Sequence, residues 1–289
     1  MNTPDLVSLL PWPKPDANKY SRGKAVLVAG SAAYPGAACL ASYATERVGA
    51  GYTEVYCAPE TMAILRGFRP TPVVRSWEAW VGRDAPELRS DEHHPLACLI
   101  GSGMDPEDDQ QMRLALKVLA NVEAPVLLDG GAFTALATAE GCAIANERAA
   151  KKPPTVLTPH AGEAARLAKG VGLDADASHP ADLARALSAA YQATIALKGP
   201  DTHIVDAATE RTAVMTQGTA ALAKAGTGDV LAGIIAGFLA QGMDPFDAAL
   251  LGTTLHAEAA RAASADLTTI SVTALDVADY LPHAIRNLA

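Results

Sequence analysis

The chain has 289 residues, 49% of them hydrophobic and only 5% aromatic, with a formal net charge of −9. That composition excludes an intrinsically disordered chain. The acidic balance removes the electrostatic footprint that non-specific nucleic-acid binding or adhesion to anionic membranes requires, so neither nucleic acid nor membrane is an expected partner. Residues 1–289 read as a single α/β domain, a length such folds routinely reach.

Cys39, Cys57, Cys98 and Cys142 lie at least 18 positions apart, too far for a CxxC-type ligand pair, and read as core residues in a reducing compartment. The N-terminal stretch, with Asp5, Pro11, Pro13 and Pro15, does not have the pattern of a signal peptide. Between Lys24 and Glu46 run 21 uncharged residues. Gly30-Ser31 and Pro35-Gly36 interrupt them, which favours strand, turn and helix over a membrane span. A cytoplasmic location is expected.

In chain order the pattern predicts a strand over 24–29, a helix over 36–48, a strand over 52–58 and an irregular excursion over one sheet edge at 66–94. A strand at 96–100, a helix at 105–120 and a strand at 125–129 come next. Residues 141–154 read as a loop, followed by a strand at 155–158, helices at 162–168 and 180–190, a strand at 194–197, and helices at 229–240 and 245–262. Short apolar strands alternating with longer helical patterns are the signature of βαβ units around a parallel sheet. Several of the strands are apolar throughout, as strands covered on both faces should be. In such sheets ligands sit beyond the carboxyl ends of the strands, so the strand exits are the places to look for chemistry.

Five exits stand out. Ala225-Gly226-Thr227-Gly228-Asp229 precedes an apolar helix, and glycines there expose unpaired helix N–H groups to an anion. Asp229 is either the N-cap of that helix or a base beside the anion hole, where phosphoryl transfer to a hydroxyl needs one. Lys198, the only cation in the run 194–202, is either a solvated strand tip or a mobile charge for a phosphate. His160 and Glu163 flank a loop-to-helix junction. Glu163 either completes a capping box or helps hold magnesium through water, with His160 on substrate. The small residues from Gly30 to Ala37, and Gly101-Ser102-Gly103, leave room for a ligand's close approach. Neither is the G-x-G-x-x-G dinucleotide fingerprint.

Taken in order, G-S-x-x-Y-x-G-A at 30–37, G-x-G at 101–103, T-P-H-x-G-E at 158–163, L-K-G at 197–199 and A-G-T-G-D-V-L-A-G at 225–233 resemble the ADP-dependent NAD(P)H-hydrate dehydratase family. The resemblance spans about Trp12 to the C-terminus. It implies a ribokinase-like α/β fold, with a central, mostly parallel sheet flanked by helices on both faces. It also implies a repair lyase that uses ADP, or ATP, with Mg²⁺ to dehydrate the S epimer of NADH or NADPH hydrate, releasing AMP and phosphate when ADP is the donor. By the same resemblance Ala37, Gly103, His160 and Asp229 line the hydrate site, with Asp229 as catalytic base. Lys198, Gly199, Pro200, Asp201, Thr202, Gly226 and Gly228 hold the adenine nucleotide, and Glu163 is linked indirectly to the metal.

The family also implies a homo-oligomer, a tetramer, and an epimerase acting on the same substrate. With the first strand near Lys24, this sequence resembles the stand-alone form without an N-terminal epimerase domain. Two departures stand out. Leu128-Asp129-Gly130-Gly131-Ala132-Phe133 replaces L-D-A-D-A-L and loses a second acid, so no metal role is assigned to Asp129. Thr216-Gln217-Gly218-Thr219-Ala220 replaces T-G-N-P. The rival readings are a vitamin-precursor kinase of the same superfamily and a nucleotide-binding regulator without turnover.

Overall fold

The computed structural model describes residues 5–81, 85–151, 153–173 and 179–289. Its strands are β1 (Lys24–Val28), β2 (Tyr52–Cys57), β3 (Val73–Ser76), β4 (Leu96–Ile100), β5 (Val126–Leu128), β6 (Thr155–Leu157), β7 (Thr194–Leu197), β8 (Thr202–Asp206) and β9 (Arg211–Met215). They form one sheet in the order β3-β2-β1-β4-β5-β6-β7-β8-β9. Every pairing from β3 to β7 is parallel, and β8 and β9 close the far edge antiparallel. The order reverses direction at β1, whose neighbours are β2 and β4, and a reversal of this kind opens a crevice at the strands' carboxyl ends.

The helices are α1 (Pro35–Arg47), α2 (Pro59–Phe68), α3 (Asp109–Asn121), α4 (Ala132–Leu136), α5 (Ala139–Lys151), α6 (Ala161–Gly170), α7 (Pro180–Tyr191), α8 (Thr227–Ala240), α9 (Pro245–Leu267) and α10 (Ala274–Leu288). One sheet face is buried under α1, α8, α9 and α10 through residues such as Leu27, Leu99, Ile234, Leu251 and Leu281. The other is buried under α3 to α7 through Val28, Ile100, Leu128, Phe133 and Leu187. The strands are apolar on both sides because both sides are covered. α8, almost wholly apolar, packs closely on α1: a Cβ on Gly233 would stand 2.2 Å from the Ala41 carbonyl of α1, and Thr45 donates to the Gly233 carbonyl at 2.9 Å. Asp244 caps α9 as its sequence promises, accepting from the N–H groups of Phe246 and Asp247, with Pro245 in the first turn.

Two sequence expectations need correction. The stretch predicted as a loop over 141–154 is mostly α5, although residue 152 lies outside the described residues. Gly141 is no breaker there: a Cβ on it would lie 2.3 Å from the Ala135 carbonyl, so glycine is what lets α5 pack against α4. Glu140 in the first turn and Lys151 in the last suit the helix dipole, and Arg148 turns inward to donate to the carbonyls of Leu119, Val122 and Ala124. The expected excursion at 66–94 contains the end of α2, the edge strand β3 and a 3₁₀ turn over Trp77–Trp80; residues 82–84 lie outside the described residues. Trp80 is fully buried, edge-on to Tyr56. Among the described residues no helix is long and apolar enough to cross a membrane.

Candidate active site

The loops leaving β1 and β4 are bonded together. Gly30 donates to the Ser102 carbonyl and Ser31 to the Gly103 carbonyl, each at 2.9 Å. Gly103 takes a positive φ of 69° and passes so close to Ala37 that a Cβ on it would stand 2.5 Å from the Ala37 methyl. The two loops expected to share a ligand are therefore in direct contact, and small residues make that possible. Ser102 lies fully buried between them, its hydroxyl donating to Asp129 Oδ2 at 3.5 Å.

Asp129 leaves β5 buried, and two groups meet its Oδ1 at 2.8 Å: the Thr158 hydroxyl and the Lys198 ammonium. Lys198 is held at the end of β7 by its own N–H to the Pro159 carbonyl, which sets it beside His160. Its Nζ is 4.0 Å from Glu163 and 3.5 Å from where a Cβ on Gly228 would stand. The solvated-tip reading of Lys198 is thus excluded: the side chain lies across the first turn of α8 with Asp129 as its partner.

His160 and Glu163 form a capping box, the structural alternative weighed for that pair. His160 Nδ1 accepts from the N–H groups of Gly162 and Glu163, and Glu163 accepts from the His160 N–H at 2.7 Å. The imidazole itself remains largely exposed at the mouth of the site. For Asp229 the capping alternative fails. The N-cap of α8 is Gly226, in the left-handed region at φ 92°, and no side chain caps that end. Asp229 stands three residues further in, half-buried within the first turn of α8.

The electrostatics follow from counting charges. Asp129, Glu163 and Asp229 converge on a single lysine. Burial, reinforced by Asp129, pushes Asp229 up to about 7 against the weaker pull of Ser102 and Lys198. Burial pushes Glu163 up to about 7 as well, opposed by Lys198. The Lys198 ammonium is held above its ordinary value: burial works against it, but Asp129, Glu163 and Asp229 outweigh burial. The His160 imidazole is held below its usual value by burial and by Lys198. A carboxylate poised near neutrality beside N–H donors for an anion has the properties of a general base in group transfer.

Of the other predicted nucleotide residues, Gly199 follows Lys198 in the turn, and Pro200 packs its carbonyl against Gly218. Asp201 is exposed, whereas Thr202 is buried as the first residue of β8. The segment that departs from T-G-N-P thus lies against this loop. Ser102 and Thr158 escaped the sequence reading, although each sits inside a motif it quoted. The polar residue between two glycines and the threonine before Pro159 were the available signals. Among the described residues no group of three or more His, Cys, Asp or Glu side chains is disposed to hold a metal ion directly.

A parallel sheet with this strand order, helices on both faces, and a glycine turn and aspartate opening a helix at the carboxyl edge define a ribokinase-like fold. A ribokinase-like superfamily protein from Enterococcus faecalis superimposes with a TM-score of 0.78 at 26% identity, covering 98% of this chain and 95% of that one. The family model for NAD(P)H-hydrate dehydratase matches residues 25–283, and the chain belongs to that family. It is 31% identical to the ADP-dependent (S)-NAD(P)H-hydrate dehydratase of Xanthomonas campestris over 96% of this chain and 93% of that protein. It is 36% identical to a bifunctional NAD(P)H-hydrate repair enzyme of Salinibacter ruber over 94% of this chain and 50% of that protein. The chain spans about half the length of the bifunctional relatives it matches. Among solved structures, the ADP/ATP-dependent NAD(P)H-hydrate dehydratase of Bacillus subtilis, co-crystallised with ATP/Mg²⁺, superimposes with a TM-score of 0.81 at 28% identity, covering 98% and 96% of the two chains.

Proposed function

We propose that this protein dehydrates the S epimer of NADH or NADPH hydrate at the expense of ADP, releasing AMP, phosphate and the repaired cofactor. The observation that carries the reading is Asp229: half-buried, not used as a cap, raised to about 7, and set in the first turn of a helix whose N–H groups lie open beside Lys198. In this reading the Gly226–Gly228 backbone and Lys198 hold the terminal phosphate, the electrostatic contribution on which such transfers mainly depend. Asp229 takes the proton of the ring hydroxyl as that oxygen attacks the phosphorus and the bond to the AMP oxygen breaks. The ring nitrogen lone pair then expels phosphate, and loss of a proton from the adjacent ring carbon restores the double bond. Ala37, Gly103 and His160 border the hydrate, whereas Gly199 to Thr202 follow the nucleotide.

Magnesium fits this donor set only indirectly. The acids present are hard oxygen donors, but one lysine already lies among them, so the ion would be held by nucleotide phosphates and water, with Glu163 behind the water. Bound there, Mg²⁺ would neutralise charge on the transferring phosphoryl group. ATP would fit the same cradle as an alternative donor. The same reading makes an epimerase that interconverts the hydrate epimers the partner activity, and a tetramer of this chain the working assembly.

The test is a time course of reduced-nicotinamide absorbance with hydrated cofactor, the protein and Mg²⁺, comparing ADP, ATP and no nucleotide. Recovery that needs nucleotide and is matched by release of phosphate, with AMP when ADP is the donor, is expected. Absence of recovery with both nucleotides, together with accumulation of a phosphorylated small molecule, would replace the dehydratase by a kinase of the same fold.

A further inference from the structure

Lys224, two residues before the glycine turn and outside every motif quoted above, is held at both ends. Through its main chain it belongs to the turn: its carbonyl accepts the Thr227 hydroxyl at 2.8 Å, and the same hydroxyl bonds the Leu222 carbonyl at 2.7 Å. Through its side chain it belongs to the connection between α9 and α10. The ammonium donates to the carbonyls of Ile270 and Val272 at 2.6 and 2.5 Å. Both acceptors are backbone dipoles rather than an acid. The connection itself is strained. Thr268, at the C-cap of α9, takes a φ of 72°, which a β-branched residue rarely adopts. The N–H groups of Ser271 and Val272 then fold back onto the Thr268 carbonyl at 3.1 and 3.3 Å. Val272 is fully buried, whereas Ile270 is 88% exposed. Thr273 caps α10, and a Cβ on Gly226 would stand 3.1 Å from the Ala274 methyl, so the connection and the turn also touch directly.

Two carbonyl oxygens converging beside an anion's seat place partial negative charge where the anion arrives. An ammonium that covers both reverses that sign. Strain at Thr268 means that the connection keeps its path only while its surroundings hold it there, and Lys224 is the polar tie that joins it to the turn. We propose that Lys224 is a positioning residue: a built-in cation that pins the 270–272 carbonyls to the α8 turn and thereby keeps the N–H groups at Gly226–Gly228 aimed at the terminal phosphate of the nucleotide. It touches none of the reacting atoms. A lysine that merely tethered two surface loops would change melting and leave nucleotide affinity alone. The inference rests on the reading that the α8 turn takes the nucleotide's terminal phosphate.

Two substitutions test it. Lys224→Met keeps the stem without the N–H donors, and Lys224→Ala opens the space to a small amine, because the side chain lies exposed. Calorimetric titration with ADP and Mg²⁺ is expected to show both variants binding about ten-fold more weakly, the scale of one misaligned hydrogen bond to a charged group. Both should melt close to the parent, and the KM for hydrate should stay within about two-fold while kcat falls. Propylammonium should restore much of the ADP affinity of Lys224→Ala. Tetramethylammonium at the same ionic strength should not, because it carries the charge without an N–H donor. ADP affinity unchanged in both variants, or restored equally by the two ammonium ions, overturns the proposal. So does a loss of affinity that follows a matching fall in melting temperature. A parent protein that binds ADP while failing to repair hydrate refutes the dehydratase reading and leaves this inference standing. A parent that binds neither ADP nor ATP refutes both.

Discussion

Among the described residues, buried acids stand beside cations in two places, and the ratio differs. On the β1–β3 side Glu54, almost fully buried, is shared by Lys24 at 2.5 Å and Arg75, with the Tyr56 hydroxyl at 3.3 Å. Burial alone would raise its pKa, but the two cations together outweigh burial and hold it below the usual carboxylate range. At the carboxyl edge, Asp129, Glu163 and Asp229 surround Lys198, with Arg166 adding only the weakest pull on Glu163, and burial raises two of the three acids to about 7. The first cluster is a satisfied structural pair with a spare cation. The second is short of positive charge by design of its loops, and such a deficit is what a site for a metal-complexed nucleotide leaves to be filled.

The largest expected effect tests the deficient cluster. Asp229→Ala should lower turnover roughly 10²–10⁴-fold, the range for losing a general base, while leaving ADP affinity within a few fold. For the parent protein, the acid limb of kcat/KM, which reports the free enzyme, should lie near pH 7. An ordinary aspartate would place it near 4, because a base raised to about 7 is inactivated by protonation below that pH. A rate that is flat from pH 5 to 8, or turnover undisturbed in Asp229→Ala, would remove Asp229 from the chemistry.

The satisfied cluster should respond in the opposite way. Glu54→Gln leaves Lys24 and Arg75 without their shared charge and should cost about 2 kcal/mol, below the usual 3–5 for breaking a buried pair because both cations reach solvent. That is a fall of several degrees in melting temperature, with kcat and KM unchanged. A kinetic change without a stability change would mean that the two clusters are not separable.

These clusters also mark how far the sequence could be read. The exits of β1, β4, β6 and β7, and the turn before α8, were all visible as glycine- and proline-marked loops after short apolar runs, because a strand covered on both faces leaves no other pattern. What single-sequence periodicity missed was set by tertiary contact. Residues 141–154 read as a loop, whereas close contact with α4 at Gly141 lets most of them continue α5. β8, and β9 that alternates at the sheet edge, were lost behind the loop predicted to bind nucleotide. The roles of Asp129 and Ser102 depend on neighbours 27 or more positions away.

The smallest effect is the most discriminating, because it asks whether the deficient cluster costs stability. Asp229 has an ordinary value of 3.8 and stands at about 7 in the folded chain. The folded state therefore holds this proton more tightly than the unfolded one. Its contribution to stability is fully present below about pH 4 and is lost as pH rises through 7. Asp229→Asn keeps an oxygen for the Ser102 hydroxyl yet never ionises. It should melt higher than the parent at pH 8, by the equivalent of roughly 1–2 kcal/mol, and the advantage should shrink steadily as the pH is lowered to 5, vanishing only below about pH 4. Thermal scans of the two proteins without nucleotide at pH 5, 6, 7 and 8 read this directly. A gap that is constant across the series would assign the difference to packing. A parent more stable than Asp229→Asn at pH 8 would mean that Lys198 already compensates the ionised carboxylate, and the contrast with Glu54 would collapse into two versions of the same ion pair.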